Sequence, residues 1–463
     1  MTDTNSLLRE IPQIEKLLNE DYIAPYLSII GKSACTECIR TSVAKYREHL
    51  KKTGKGEINL LHNIIKQQLS IKSATRLQRV INGTGVIIHT NLGRAPLGEK
   101  IFESLKENLS GYCNLEFYIP EKKRGKRGGF AEELISSMTG AEDALIVNNN
   151  AASVFLILNE FAKGGETIVS RGELIQIGGG FRIPDIMAQS GTTLVEVGTT
   201  NITTVDDYKK GITDKTKMIF SAHRSNFKLE GFTENPSLVE LSGLKNENII
   251  FVRDMGSGNL VYDWMQGSFE QTVFNEISQG VDIICFSGDK LLGSCQAGII
   301  TGKKNLISRL RKNPLMRMLR VDKITYYILQ QTLIHYVNSQ YKNTRLWDVI
   351  TQSKEAVSKK ASRIIKLCGK ESAKFIKKIP TQATYGGGSM PGTSIESIGI
   401  KINIPGYNPE ELYNYFISCT PPIIGTVRED SYILDLFAIF DKDIKDIANS
   451  ISNLLNNQNT TEN

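Results

Sequence analysis

The sequence predicts an α/β protein: a large domain built on a mainly parallel sheet, with a small helical module ahead of it and a smaller α+β domain behind. Two observations predict this. From Val80 onward, short β-rich runs at 144–147, 167–170, 193–197, 217–221, 249–253, 283–287 and 298–301 alternate with helical patterns such as 152–162 and 184–190. Strands that alternate with helices build parallel sheets through crossover units. Ahead of Val80 the pattern is helical throughout: Ile11, Ile14, Leu17 and Leu18, and again Leu60, Leu61, Ile64, Ile65 and Leu69, recur at one-face spacing. The stretch KKTGKG at 51–56 reads as an exposed turn between them. A long helical pattern at 323–337 leads into a final segment that mixes helices with strands at 398–404 and 432–436, and the tail after Leu455 is polar and expected to fray. The expected domains are therefore 1–78, 79–325 and 326–463.

Composition sets the class. Of 463 residues, 40% are hydrophobic and 23% charged, which suits a globular chain with a sizeable core and two or three domains of ~100–200 residues each. Met1 to Glu10 is polar, without the apolar stretch of a signal peptide, and no apolar run approaches the ~18 residues of a membrane span. A cytosolic protein is expected. The seven cysteines are scattered; Cys35 and Cys38 form one CxxC, but neither His49 nor His62 completes a zinc set, so free thiols and no metal are expected. The net charge is +7. Residues 1–80 hold thirteen Lys or Arg against eight Asp or Glu, and residues 301–325 hold eight against the single acid Asp322. Such excess suits a polyanionic partner or a phosphorylated substrate, or else a solvated basic surface.

Four local features carry chemistry. The run FSGDKLLG (286–293) follows an apolar strand and puts Lys290 at its end. Burial disfavours the charged form of lysine, and a lysine of lowered pKa forms Schiff bases readily; a surface lysine after a strand is the alternative. Upstream, the apolar run 249–253 ends in Asp254, placed to keep a pyridine nitrogen protonated, or to serve as a cap or turn residue before Gly256 and Gly258. Third, Asn148, Asn149, Asn150, Ala151, Ala152 and Ser153 join a strand to an apolar helix, where small residues let backbone N–H groups reach a phosphate; an Asn cap on a polar turn is the alternative. Fourth, Ser225 and Asn226 follow the strand 217–221, placed to bond a ring hydroxyl or to make a simple turn. The order decides: phosphate loop (Asn149, Asn150, Ala151), then Asn226, then ring acid, then lysine, with Ser287 as a further phosphate ligand. That is the layout of fold-type-I pyridoxal 5'-phosphate (PLP) enzymes.

Longer motifs then carry a resemblance. The segments INGTGVIIHTNLGRAPL (81–97), SRGEL (170–174), GGGFRIP (178–184), SGDKLLG (287–293), QAGII (296–300), NPLMRMLRVDK (313–323) and GGGSMPG (386–392), with LREIP (8–12), resemble bacterial selenocysteine synthase, the L-seryl-tRNA(Sec) selenium transferase family, over nearly the whole chain. The resemblance implies conversion of L-seryl-tRNA(Sec) to L-selenocysteinyl-tRNA(Sec) with selenophosphate as donor, through a PLP-bound dehydroalanyl intermediate. It implies that Lys290 holds PLP and then serves as base, that Asp254 supports the ring, and that Arg94, Arg317 and Arg320 bind the anionic donor. It further implies that the N-terminal module binds tRNA, with RNA read by shape, and that the protein forms ring-shaped homodecamers.

The chain departs from the family pattern at Ser294-Cys295, where Gly-Pro is usual, at Gln176, where Glu is usual, at Gly128-Gly129-Phe130, and at Thr426, where Arg is usual. Two other readings compete. One is a PLP-dependent lyase for a small amino acid or amino sugar acid, with Arg428 as the carboxylate ligand. The N-terminal module argues against it. The other is a tRNA-binding scaffold without chemistry, against which Lys290, Asp254 and Asn226 argue.

Overall fold

A computed structural model describes residues 4–177, 180–224, 227–261, 271–428 and 430–461. The chain forms two compact units, residues 1–80 and 81–463.

The first unit is helical. After the short helices Thr4–Arg9 and Ile14–Leu18 come α1 (Ala24–Thr53) and α2 (Ile58–Ala74). Cys35, Ile39, Val43, Tyr46 and Leu50 of α1 recur three or four apart and so share one face, which packs with Leu61, Ile65 and Leu69 of α2. Both cysteines of the CxxC thus lie in an apolar core. Helix α1 stops at Gly54, whose left-handed φ of 66° lets its N–H close on the Leu50 carbonyl at 2.9 Å.

The second unit is built on a seven-stranded sheet. In chain order its strands are β1 (Asp143–Val147), β2 (Glu166–Ser170), β3 (Thr193–Val197), β4 (Thr216–Ala222), β5 (Ile250–Gly256), β6 (Ile283–Ser287) and β7 (Gly298–Gly302). In space the order is β1-β7-β6-β5-β4-β2-β3. Strand β7 runs antiparallel to both neighbours and every other pairing is parallel. Strands covered on both faces read as continuous apolar runs, and β6 (IICFS) and β7 (GIITG) are buried at every position. Helices α3 (Gly129–Thr139) and α4 (Asn150–Phe161) flank β1, and the long helix α5 (Lys323–Val337) leads away from the sheet. No helix among the described residues is long and apolar enough to cross a membrane.

The C-terminal part holds helix α6 (Lys354–Leu367), a four-stranded antiparallel sheet and the final helix α7 (Ile444–Thr461). The strands are β8 (Ile376–Thr384), β9 (Ser394–Ile402), β10 (Thr426–Arg428) and β11 (Ser431–Asp435), in the order β8-β9-β11-β10. Residues 81–88 are laced into this part although they precede the large sheet. Ile81 and Asn82 pair in parallel with Ile423 and Ile424, Ile87 donates to the Thr384 carbonyl at 2.9 Å, and Asp435 donates to that of Gly83 at 2.8 Å. Gly83 permits this approach, since a Cβ there would lie 2.6 Å from Leu434.

Candidate active site

Parallel strands deliver their following loops to one edge of a sheet, so ligands gather at the carboxyl ends. Here Asn148–Asn150 follow β1, His223 follows β4, Asp254 lies near the end of β5, and Asp289 and Lys290 follow β6. Lys290 and Asp254 are each 5% exposed. The Asn150 amide donates to Asp254 Oδ1 at 2.8 Å, and the Gly256 N–H donates to the same oxygen at 3.0 Å. Burial pushes the Asp254 carboxyl up, while the Asn150 bond and the charges of Lys290 and Arg253 pull it back. A cation set against Asp254 would favour its ionised form further.

The Lys290 loop is held from several sides. Gly288 donates to the Ala297 carbonyl at 2.9 Å, Gly293 to that of Lys290 at 2.8 Å, and Leu291 to that of Ser257 at 3.0 Å. Trp347 and Tyr336, both buried, reach in from the helical region beyond: Trp347 Nε1 donates to the Leu291 carbonyl at 3.1 Å and the Tyr336 hydroxyl to that of Leu292 at 2.8 Å. Lys290 therefore stands on a backbone fixed at both ends.

Beside it, Arg94 donates through one terminal nitrogen to both oxygens of Asp289, at 3.1 and 2.9 Å, and the Ala95 N–H donates to the Asp289 carbonyl at 3.1 Å. Arg94 has a left-handed φ of 60°, a conformation costly for a residue with a Cβ. Arg317 and Arg320 sit on a segment docked to the loop after β1, where Asn148 donates to the Leu319 carbonyl at 2.9 Å. Neither has an ion-pair partner among the described residues, and Arg317 is exposed.

The loop after β1 divides its labour. Asn149 caps α4, accepting the Ala152 N–H at 2.9 Å. That leaves the first N–H groups of the helix, at Asn150 and Ala151, without intrahelical acceptors and able to meet an anion. The loop is seated hard on β7: a Cβ at Gly298 would lie 2.1 Å from the Asn149 carbonyl oxygen. Ser287, at the end of β6, is buried nearby in the sheet. Asn226, with Ser225, lies outside the described residues. Arg428 is exposed on the outermost strand β10.

The residues present fit a PLP group. Asn148 Oδ1 and Asn150 Oδ1 are buried without a hydrogen-bond partner, an incompleteness that native sites reserve for ligands or water. They adjoin a helix N-terminus able to receive a phosphate, a buried carboxylate able to face a ring N–H, and a buried amine.

Several contributors were not legible as site residues. Asp289 lies inside the lysine motif, and its partner Arg94 is 195 residues away in sequence. Asn150 reads as a phosphate-loop residue, whereas its side chain is engaged by Asp254. His223 carries no local signal, since only the β4–β5 pairing brings it here, with its N–H on the Asp254 carbonyl at 2.8 Å. Burial and the nearby charges of Arg253, Lys290 and Arg224 lower its pKa to about 3. The unfolded chain binds that proton near 6.5 and the folded chain only near 3. Between those values the unfolded state therefore holds more protons, and stability falls as acid is added. We expect this residue to contribute a loss of order 5 kcal/mol across the window, measurable as urea midpoints from pH 7 downward. His223→Asn should flatten that limb, and an undiminished slope would assign it to other groups.

Three of the departing residues have defined local contacts, and nothing in the structure explains Thr426. Gly128 caps α3 with φ 64°, and a Cβ there would lie 2.0 Å from the Tyr326 ring. Gln176 accepts the Arg182 Nε–H at 2.7 Å. Cys295 turns its thiol to the Thr325 carbonyl at 3.7 Å, and burial pushes its pKa up to about 12, so it stays protonated and a poor nucleophile.

A seven-stranded sheet with one antiparallel strand, and an acid and a lysine at its carboxyl edge, define an enzyme of the fold-type-I class. A solved D-glucosaminate-6-phosphate ammonia-lyase shares the fold, with a TM-score of 0.57 and 17% identity over 85% of this chain and 98% of that one. The family model of L-seryl-tRNA selenium transferase matches residues 80–440. The L-seryl-tRNA(Sec) selenium transferase of Aquifex aeolicus is 40% identical over 97% of this chain and 99% of its own, and that of Clostridium botulinum strain Okra is 39% identical over 98% and 100%. The chain belongs to the L-seryl-tRNA selenium transferase family.

Proposed function

We propose that this protein converts L-seryl-tRNA(Sec) to L-selenocysteinyl-tRNA(Sec) in the cytoplasm, with PLP as cofactor and selenophosphate as donor. The observation that carries this reading is the buried Lys290 beside the buried Asp254, in a chain matched over nearly its full length by relatives of that name. PLP supplies an electron sink when bound. Lys290 would hold it through its buried amine and would be the base for the Cα proton. Asp254, oriented by Asn150, would face the ring nitrogen and favour its protonated form. Ser287, Asn149, Asn150 and Ala151 would receive the phosphate through hydroxyl, amide and helix N-terminus, and Asn226 the ring hydroxyl. The serine hydroxyl leaves as water, selenium forms the new bond to the β-carbon, and water takes the phosphoryl group as phosphate.

Arg94, Arg317 and Arg320 suit a phosphate-like donor, because guanidinium groups bind its oxygens as forks. The first unit, with its net +5, suits the RNA backbone. A homodecamer completes the reading. Phe117, Tyr118, Ile119 and Phe130 are about half exposed and border a cavity of about 670 Å³, an apolar surface of the kind copies of a chain cover in one another.

The test uses tRNA(Sec) charged with labelled serine, selenophosphate and PLP-loaded protein, followed by analysis of the released amino acid. Labelled selenocysteine is expected, and none from Lys290→Ala. Unchanged serine from a protein that binds PLP would overturn the reading.

A further inference from the structure

The C-terminal part of the second unit carries a concentration of positive charge that the candidate active site does not use. Residues 354–378 contain nine Lys or Arg and two Asp or Glu, a net +7, which equals the net charge of the whole chain. The rest of the protein is therefore balanced in sum.

The fold arranges this charge. Helix α6 buries Val357, Ala361 and Ile364 and turns Lys359, Arg363 and Lys366 outward. Their spacing of four and then three residues puts them in one row. Lys370, exposed in the short helix Gly369–Ala373, follows four residues on. None of the four has an ion-pair partner among the described residues, whereas Lys354 pairs with Glu396 and Lys374 with Glu371. Beside the row lies a cavity of about 400 Å³ whose lining includes Lys359, Lys360, Arg363 and Arg345, with Asp348 and Asp441 as the acids.

Two ordinary explanations cover only part of this. Lysines on an edge strand deter pairing with other chains, which accounts for Lys377 and Lys378 on β8 but not for the helix. A solvated helix face normally interleaves acids with bases, because like charges at this spacing repel. On α6 Glu355 offsets Lys359 and the helix C-terminus offsets Lys366, but no acid lies between Lys359 and Lys370, so the row gains most from an anionic partner. From Lys359 to Lys366 it extends about 10 Å at helical rise, and Lys370 follows in the next short helix, enough to meet more than one phosphate of a polymer rather than one small anion. An anionic membrane suits it less well: the apolar face of α6 is already buried in the core, and Leu367 is the one large apolar side chain exposed between 354 and 378.

We propose that the row Lys359, Arg363, Lys366 and Lys370 is a contact surface for the phosphate backbone of a structured RNA, additional to the N-terminal unit. The inference rests on the reading of an aminoacyl-tRNA as substrate. The test measures binding of unacylated tRNA(Sec) to full-length, PLP-loaded protein across a salt series, for the parent and for the triple variant Lys359→Ala/Arg363→Ala/Lys366→Ala. These residues are exposed, so cofactor absorbance and thermal melting should stay at parental values. The expected result is affinity lower by about 10–100-fold at low salt and a slope of log affinity against log salt shallower by about three. Parental affinity and slope in the variant would overturn the proposal while leaving the tRNA reading intact. A parent that binds no tRNA(Sec) would overturn both. Phosphatidylserine vesicles, used as a second probe, would overturn it if the variant lost vesicle binding and kept RNA binding.

Discussion

Asp254→Asn is expected to lower kcat by about 10²–10³-fold, the size found when one preorganised electrostatic partner is removed from a reacting centre, and to leave cofactor attachment at Lys290 in place. The substitution keeps the shape and keeps an oxygen for the Asn150 amide, which now lies 2.8 Å from the carboxylate. It removes only the negative charge. A neutral amide cannot hold a proton on a ring nitrogen, so the ring would lose its capacity to absorb the electrons released at Cα. Single-turnover conversion of seryl-tRNA(Sec), followed together with cofactor absorbance, separates the two effects. Turnover within tenfold of the parent would show that Asp254 does not serve the ring. Asn150→Ala should give a weaker version, because it frees the carboxylate without discharging it.

A second large effect concerns stability. Arg253, next to Asp254 on β5, is 9% exposed. It reaches Glu276 at 3.3–3.4 Å and donates to Ser221 Oγ at 2.7 Å, while Ser221 Oγ donates in turn to Glu173 Oε1 at 3.1 Å. Burial pushes the Glu173 carboxyl up against the pull of Arg253. Arg253→Met would leave Glu276, itself 2% exposed, as a buried charge without its cation. We expect a loss of about 3–5 kcal/mol, read as a lower urea midpoint by far-UV circular dichroism. Adding Glu276→Leu removes the stranded charge and should restore part of the loss. A single variant as stable as the parent would mean that water reaches the site and screens the pair.

Most of the architecture is legible because the central strands are short, buried on both faces and therefore largely apolar, while the edge strand β3 (TLVEV) shows through its β-branched residues. The runs at 193–197 and 283–287 coincide with β3 and β6, the others of the large sheet differ by one to three residues at their ends, and the run at 398–404 begins four residues into β9. The helix pattern at 323–337 coincides with α5. Strand direction is another matter. Nothing in GIITG (298–302) says that β7 runs against its neighbours, since direction depends on the length and path of the connecting loop. Strand β8 was also invisible: IKKIPTQAT alternates poorly because it lies at a sheet edge, where lysines and a proline are tolerated. At the candidate site, the residues whose chemistry is unusual for their setting, Lys290 and Asp254, could be picked out along the chain. Those that act through partners far away in sequence could not. The Asn150–Asp254 bond spans 104 residues and the Arg94–Asp289 pair spans 195, and no window of local sequence contains either.

The lacing of residues 81–88 into the C-terminal sheet has a consequence for synthesis. Ile81 and Ile423, which pair, are separated by about 340 residues of chain. On a ribosome that adds roughly 5–20 residues per second, this segment emerges early and then waits tens of seconds before Ile423 and Asp435 exist to receive it. During that interval Ile81, Ile87 and Ile88 have no native cover. Nascent chains stopped anywhere before the last strands should therefore be the aggregation-prone and chaperone-bound species. The α/β sheet, complete once Gly302 has emerged, would have to hold its shape with its entry segment still loose.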